Sequence, residues 1–298
     1  MFTAKDVKDL REKTGCGMMD CKKALTESNG DMEKAIEFLR EKGLAAAEKK
    51  ASRIAAEGLV DVYVTADGSV GALIEVNSET DFVAKNDEFK TFVATLAKIV
   101  ADENPADVDA LKELKYTDSE LTVDDMLKEK ILTIGENLTI RRFARFEGGA
   151  VAYIHGEGRI GVMVKAEGDI ANADAHEAAR DAAMQIAAIN PLYLSKDTVP
   201  AEDVEKEKNI ILAQIKEDPK NANKPENILE KMVGGKINKF FEQNCLLQQE
   251  FVKDGDFKVE AYLASKGVKL VDFVRFEKGE GIEKKVDNFA EEVASMIK

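Results

Sequence analysis

The sequence has no tryptophan and only five prolines, two histidines and three cysteines among its 298 residues. An odd number of cysteines with so few histidines argues against a disulfide framework or a zinc site and is typical of the reducing cytoplasm. No run of 18 apolar residues occurs, so no segment is predicted to span a bilayer. Residues 1–10 already contain two lysines and two aspartates, which argues against a signal peptide. We therefore expect a cytoplasmic protein with no cofactor and no metal.

Positive charge is also in short supply. Lysine and arginine together number 43 against 57 aspartates and glutamates, which gives a formal net charge of −14. Proteins that bind nucleic acid by neutralising phosphates, and polybasic membrane anchors, have the opposite balance. We expect neither direct nucleic-acid binding nor a membrane partner. The apolar fraction of 44% indicates a globular chain, and its length suits two or three domains.

Motifs for nucleotide binding are absent or lie in the wrong context. The chain has no Gly-x-x-x-x-Gly-Lys-Ser/Thr string, so no P-loop is predicted. Gly156, Gly158 and Gly161 have the spacing of a dinucleotide fingerprint, but a predicted strand follows them where a helix is needed. We interpret this string as a hairpin turn. An enzyme that uses Asp81 or His155, or a Cys–His pair, is the alternative; without a paired nucleophile, we favour a protein that is not an enzyme and acts by binding.

Two stretches about 90 residues apart repeat one pattern. Residues 58–76 and 149–166 each place β-branched runs around a glycine turn, which predicts two antiparallel hairpins. A helix is predicted after each hairpin, at residues 86–101 and 176–189, and a returning strand is predicted at residues 268–276. The fold class is therefore predicted to be α+β, with a core of two repeated α/β subdomains that contain antiparallel sheets.

Helical segments surround and interrupt this core. Three short helices are predicted within residues 1–55, the third of them ending before Gly43, with a basic linker helix after it. Two long polar helices with narrow apolar stripes, at about 201–217 and 225–254, predict an antiparallel hairpin that protrudes from the body. The predicted domains are an N-terminal module at 1–55, a core N-subdomain at 56–146, a core C-subdomain at 147–190 and 255–277, an inserted helical hairpin at 191–254 and a C-terminal module at 278–298.

Residues 77–89 connect the first repeated hairpin to its helix. Thr80 or Asp81 can cap that helix, because a side-chain oxygen there accepts a free backbone N–H. Phe82 precedes Phe89 by seven residues, so its ring can extend the buried stripe of the helix. It can instead be an exposed aromatic beside a carboxylate, a typical interface anchor. The spacing leaves both interpretations open.

The segment Thr80-Asp-Phe-Val-Ala-Lys85 resembles the signature of the bacterial elongation factor Ts family. Residues 10–25, 134–142 and 275–283 resemble that family too, so the likeness extends over the whole chain in the same order. Cys16 departs from the pattern, because the family more often has alanine there. The resemblance implies an N-terminal three-helix module similar to ubiquitin-associated (UBA-like) domains, the two-part core, the inserted helical hairpin and a C-terminal helical module.

The same resemblance implies a translation elongation factor that binds the GTPase elongation factor Tu. Such a protein promotes GDP release and GDP/GTP exchange by binding. Asp81 and Phe82 match the pair that reaches the partner near its Mg²⁺ and phosphate site and shifts the elements that hold Mg²⁺. Thr80, Val83 and Lys85 belong to the same partner-binding segment.

Further contacts are implied at both ends of the chain. Arg11, Met18 and Met19 match N-terminal positions that touch the nucleotide-binding domain, and His155 lies in the region similar to a contact with another domain. The last helix resembles a module that docks on the nucleotide domain, although docking onto its own core is the alternative; its apolar face contains Val286, Phe289 and Val293. The helical hairpin is a candidate for homodimer contacts. An adaptor that binds partners without exchanging nucleotide is the alternative function.

Overall fold

The structure, a computed structural model, describes residues 2–221 and 224–283. Over these residues the chain forms eleven α-helices and eight strands, and the combination of helices with antiparallel sheets confirms the predicted α+β class. The helices are α1 (Ala4–Thr14), α2 (Met18–Glu27), α3 (Met32–Lys50), α4 (Asp81–Lys85), α5 (Asp87–Glu103), α6 (Val108–Glu113), α7 (Val123–Ile134), α8 (Ala173–Ile189), α9 (Ala201–Glu217), α10 (Glu226–Asn244) and α11 (Val259–Ser265). The strands are β1 (Glu57–Val64), β2 (Val70–Ser78), β3 (Thr139–Glu147), β4 (Ala150–His155), β5 (Ile160–Glu167), β6 (Glu250–Phe251), β7 (Asp254–Lys258) and β8 (Lys269–Glu277).

The two sequence repeats form two sheets of the same design. One sheet has the order β1-β2-β3 and the other the order β4-β5-β8, and all neighbours are antiparallel. A register shift interrupts the first sheet between Glu75 and Val76, and the second between Lys165 and Ala166, which are the equivalent positions. Both predicted hairpins are confirmed, and the shared bulge shows that the repeat extends to backbone detail.

A glycine at the start of each hairpin allows an unusually close approach between strands. Gly58 has φ +118° and Gly149 has φ +65°. A Cβ atom would lie 2.2 Å from the Val76 carbonyl oxygen at the first position and 1.8 Å from that of Ala166 at the second. Both distances are far below a van der Waals contact, so only glycine fits at either site.

The helices α5 and α8 cover equivalent faces of the two sheets. Each has 17 residues, each begins after an asparagine whose side chain accepts two backbone N–H groups, and each ends at an asparagine in the left-handed region. The strands are related by an offset of 90 (Gly71 and Gly161), whereas the caps Asn86 and Asn172 are related by 86. The first repeat therefore contains four additional residues between strand and helix, and this longer junction contains the five-residue helix α4.

The opposite faces of the two sheets pack against each other. Their shared core contains Val60, Leu73, Ala150, Met163 and Phe276, all of them buried. Full burial of such a side chain is worth about 1.5–3 kcal/mol relative to leaving it exposed. This apolar layer therefore joins the two repeats.

The N-terminal helices pack around Leu10, Cys21 and Leu25. The prediction that a helix ends before Gly43 is wrong, because α3 continues to Lys50. Gly43 is buried against α7, 3.5 Å from the Lys128 carbonyl oxygen at its Cβ position. A side chain larger than that of alanine would meet α7, which accounts for a small residue at this position of the helix.

Helices α9 and α10 pack together through Ile211, Ile215 and Ile237. The predicted extension of the second helix to residue 254 is wrong, because α10 ends at Asn244. The Leu246 N–H donates to the Tyr193 carbonyl at 2.9 Å, and the Leu246 side chain is buried in the core beside α8. The buried Leu246 side chain therefore marks the point where the chain rejoins the second repeat. The elements β6, β7 and α11 follow it.

The three cysteines are buried free thiols. Burial raises the pKa of Cys16, Cys21 and Cys245, the last to about 11. Among the described helices, none is long and apolar enough to cross a membrane. The predicted last helix, with Val286, Phe289 and Val293, lies outside the described residues.

Candidate functional site

The four additional residues place a phenylalanine on the surface, at the junction of β2 and α5. The Phe82 side chain is 79% exposed, the largest exposed fraction of any large apolar residue that the structure describes. Val83 and Ala84 point inward, and Val83 joins the core beneath α5. We call residues 81–85 the α4 tip.

The interpretation of Phe82 as a core residue is wrong, and Asn86 supplies the reason. Its backbone is extended (φ −70°, ψ 129°), so α4 ends there and α5 begins anew. The seven-residue spacing from Phe82 to Phe89 crosses this break, and the two rings do not share a helix face. Val83 occupies the inward position instead.

A pair of reciprocal hydrogen bonds holds the base of the tip. The Thr80 N–H and hydroxyl donate to the two carboxylate oxygens of Glu136 at 2.9 Å and 2.6 Å. The Asn137 N–H donates in return to Glu79 at 2.6 Å. Hydrogen bonds to a carboxylate are about twice as strong as neutral ones. The loop between α7 and β3 therefore clamps the residues that lead into the tip.

This clamp corrects one prediction and adds two residues. The Thr80 side chain makes no capping bond to α4, and the α5 cap is Asn86, whose side chain accepts from Glu88 and Phe89. Glu79 and Glu136 were not singled out from the sequence. Glu136 lies within a segment that resembles the family, which was the available signal, but its partner is 56 residues away.

The carboxylate beside the exposed ring is paired with a lysine one turn later. Lys85 donates to Asp81 at 2.7 Å, and its ammonium lies 5.9 Å from the centroid of the Phe82 ring. The hydrogen bond from Lys85 lowers the pKa of Asp81, and the same contact raises the pKa of Lys85. Asp81 is therefore ionised at neutral pH. Both side chains are largely exposed, so either can exchange its partner for a group on another molecule.

The predicted N-terminal contact residues lie on the turn between α1 and α2. Arg11 is in the last turn of α1 and is exposed, and Met18 and Met19 begin α2 with exposed fractions of 54% and 73%. Gly15 in this turn approaches Thr133 in the last turn of α7. Glu136 follows shortly after Thr133, so the turn before α2 lies near the end of α7 that leads into the clamp.

His155 ends β4 and is exposed beside the turn of the second hairpin. Its Nδ1 lies 2.9 Å from the Tyr153 hydroxyl. The turn itself contacts the first repeat, because the Val60 N–H donates to the Gly158 carbonyl at 2.8 Å. The glycine string here is a hairpin turn, as predicted. Within the described parts of the chain, no three acidic, histidine or cysteine side chains are arranged to hold a metal ion.

A clamped, exposed aromatic tip is typical of a protein that acts by docking onto a partner. The comparisons with known proteins define its kind. A family profile described as Elongation factor TS matches residues 79–280. Curated relatives named Elongation factor Ts include those of Clostridium kluyveri (strain NBRC 12016), 52% identical over 307 residues, and Clostridium perfringens (strain 13 / Type A), 53% identical over 305. Each alignment covers at least 99% of both chains.

The protein of Clostridium acetobutylicum with the same name is 48% identical over 306 residues, again with at least 99% of both chains covered. The chain belongs to the elongation factor Ts family. Its role is therefore that of an elongation factor in protein biosynthesis.

Proposed function

We propose that this chain is a guanine-nucleotide exchange factor for elongation factor Tu and promotes GDP release and GDP/GTP exchange. In this proposal Asp81 and Phe82 enter the partner near its Mg²⁺ and phosphate site. The observation that carries the proposal is the exposure of the Phe82 ring on a tip whose base is clamped. Membership of the family supports the choice of partner.

The proposed action needs no catalytic acid or base. A factor that binds the nucleotide-free GTPase more tightly than its GDP form must weaken GDP binding by the same factor. Each tenfold weakening corresponds to about 1.4 kcal/mol of coupling, so a thousandfold effect needs roughly 4 kcal/mol. A buried aromatic anchor supplies about 2–4 kcal/mol, which makes Phe82 a sufficient source for much of it.

The structure of the tip reduces the entropy that is lost when Phe82 docks. Val83 anchors α4 from below, and Glu136 holds Thr80 from the side, so little side-chain and backbone freedom remains to be lost on docking. The ionised Asp81 can leave Lys85 for a donor on the partner. The Phe82 ring can then fill an apolar pocket and shift the elements that hold Mg²⁺.

Other surfaces are proposed to complete the complex. Arg11, Met18 and Met19 would contact the nucleotide-binding domain, and methionine suits an adaptable surface. His155 would contact a further domain of the partner. The last helix would dock through Val286, Phe289 and Val293, and the α9–α10 pair would provide homodimer contacts.

We also propose that the protein acts in the cytoplasm. Its elements would form separate domains. The N-terminal helices would form the UBA-like module, the two repeats the core subdomains, α9 and α10 the inserted hairpin, and the residues after β8 the C-terminal module.

Replacement of the exposed ring tests the proposal. We expect Phe82→Ala to slow release of fluorescent GDP from elongation factor Tu about 10- to 100-fold, which corresponds to about 1.4–2.7 kcal/mol of lost coupling. Its unfolding temperature should stay near that of the wild type, because the ring is exposed. Phe257→Ala is the matched control, since Phe257 is also partly exposed but lies on β7; it should exchange at the wild-type rate.

Two outcomes would contradict the proposal. Full exchange activity of a folded Phe82→Ala variant would remove the tip from the mechanism. A wild-type chain that binds the GTPase but leaves GDP release unchanged would be an adaptor.

A further inference from the structure

A small pocket lies against the α4 tip, between the two repeats. It has a volume of about 100 Å³, and Asp81 and Lys85 of the tip form part of its wall. The β4–β5 turn contributes Glu157 and Arg159 from the other repeat. The remaining lining residues are Gly58, Ala84, Lys90, Gly156 and Lys278.

The lining of this pocket contains four cationic side chains, from Lys85, Lys90, Arg159 and Lys278, and two carboxylates, from Asp81 and Glu157. Such a pocket can hold an anion where one of its cations has no carboxylate partner of its own. Phe82 lies between Asp81 and Lys85 in α4, so a molecule that docks on the tip also approaches the pocket.

Three of the four cations already have carboxylate partners. Lys85 pairs with Asp81 at 2.7 Å, Lys278 with Glu57 at 2.6 Å and Lys90 with Asp87 at 3.8 Å. Arg159 is exposed and, among the residues that the structure describes, makes no side-chain ion pair or hydrogen bond. Its planar guanidinium presents paired donors that match the two oxygens of a carboxylate.

We propose that this pocket receives a single carboxylate side chain of the partner protein, held mainly by Arg159, when Phe82 docks. The inference rests on the proposed function, because the partner is the GTPase whose GDP release is measured. A carboxylate fits better than a phosphate group. Arg159 offers one positive charge, and Asp81 and Glu157 lie in the same small space, so they repel a singly charged carboxylate less than a doubly charged phosphate.

Steady-state exchange kinetics with Arg159→Gln test the pocket. We expect the half-saturating concentration of the factor to rise roughly fivefold at low salt, because a complementary charge at the docking surface is lost. The difference should shrink at high salt, where exposed charges are screened. The maximal rate of GDP release should not change, since Phe82 is intact, and Arg159→Lys should restore part of the loss.

Lys115→Gln provides the matched control. This substitution also removes one positive charge, and Lys115 lines a cavity with Asp102 at the far end of α5. Twelve residues of helix separate Lys90 from Asp102, which is about 18 Å. The control should keep the wild-type half-saturating concentration at every salt concentration.

The outcomes separate this inference from the proposed function. If the wild type does not accelerate GDP release, the proposed function fails. If the wild type is active and Arg159→Gln has an unchanged half-saturating concentration at low salt, the pocket does not receive a partner carboxylate. Binding of inorganic phosphate to the free chain can be monitored by the NMR amide shifts of Gly58 and Gly156. Saturable binding that is lost in Arg159→Gln would identify a phosphate site and overturn the proposal of a carboxylate.

Discussion

At the scale of single residues, the position of Phe82 depends on its neighbours more than on the ring itself. Asn86 ends α4 and caps α5, which turns Val83 inward and Phe82 outward. Glu136 then holds Thr80 through both its N–H and its hydroxyl. The exposed aromatic is therefore produced by a cap, an anchor and a clamp that lie at different places in the sequence.

The clamp predicts a measurable effect of a one-atom change. Glu136→Gln replaces a carboxylate that accepts two hydrogen bonds with an amide that has one acceptor oxygen. We expect a loss of about 1–2 kcal/mol in the free energy of unfolding, measured with urea. The maximal rate of GDP release should also fall a few-fold, because the tip is less ordered before docking.

Glu113→Gln serves as the control for that substitution, since Glu113 is an exposed glutamate in α6. It should change neither quantity. Unchanged stability and exchange in Glu136→Gln would show that the contacts of Thr80 do not position the tip.

At the scale of elements, the packing of α3 on α7 attaches the N-terminal helices to the first repeat. Gly43 brings the helices close, and Lys50 at the end of α3 donates to the Ile131 carbonyl at 3.1 Å. The gap between the two helices still has room for a methyl group, because a Cβ atom at Gly43 would lie at an ordinary contact distance of 3.5 Å from the Lys128 oxygen. An alanine therefore fits where a larger side chain does not.

Two substitutions at Gly43 should have opposite effects. Gly43→Ala should raise the free energy of unfolding by up to about 1 kcal/mol, because alanine favours the helix. Gly43→Leu should lower it by about 1–3 kcal/mol, because its side chain must push α3 away from α7. Urea unfolding of both variants checks the pair, and equal effects of the two would show that Gly43 does not lie at a tight contact.

The sequence predicts elements well where a local pattern decides them. The two hairpins follow from alternating β-branched residues and glycine turns. The predicted helix ends at Gly43 and residue 254 are wrong because packing decides them. Gly43 is used for close approach, and Leu246 is buried in the second repeat.

At the scale of the whole molecule, a buried carboxylate joins distant parts of the chain. Glu75 on β2 has no exposed surface and accepts from Arg141 at 2.9 Å, Arg142 at 2.6 Å and the Gly279 N–H at 2.8 Å. Arg142 also lies 4.3 Å from the ring centroid of Phe276. This network fixes the segment after β8 against the first sheet. Contacts across more than 200 residues have no signal in a single sequence, which is why neither this network nor the pocket at Arg159 was predicted.

Removal of the buried charge should destabilise the molecule. Glu75→Gln leaves two arginines with a neutral partner, and we expect a loss of about 3 kcal/mol in the free energy of unfolding. Glu147→Gln breaks a pair with Arg145 in which the glutamate is mostly exposed, so it should cost less than about 1 kcal/mol. Similar losses in the two variants, measured by urea unfolding, would contradict the role of Glu75.

The four residues that distinguish the first strand-to-helix junction from the second have a practical consequence. The second repeat connects an equivalent strand to an equivalent helix without them, so the molecule carries its own template for a shortened junction. A deletion variant can copy that natural connection instead of inventing one. Such a variant would lack the α4 tip and keep the two-sheet core. The second repeat shows that the shorter connection is compatible with this fold.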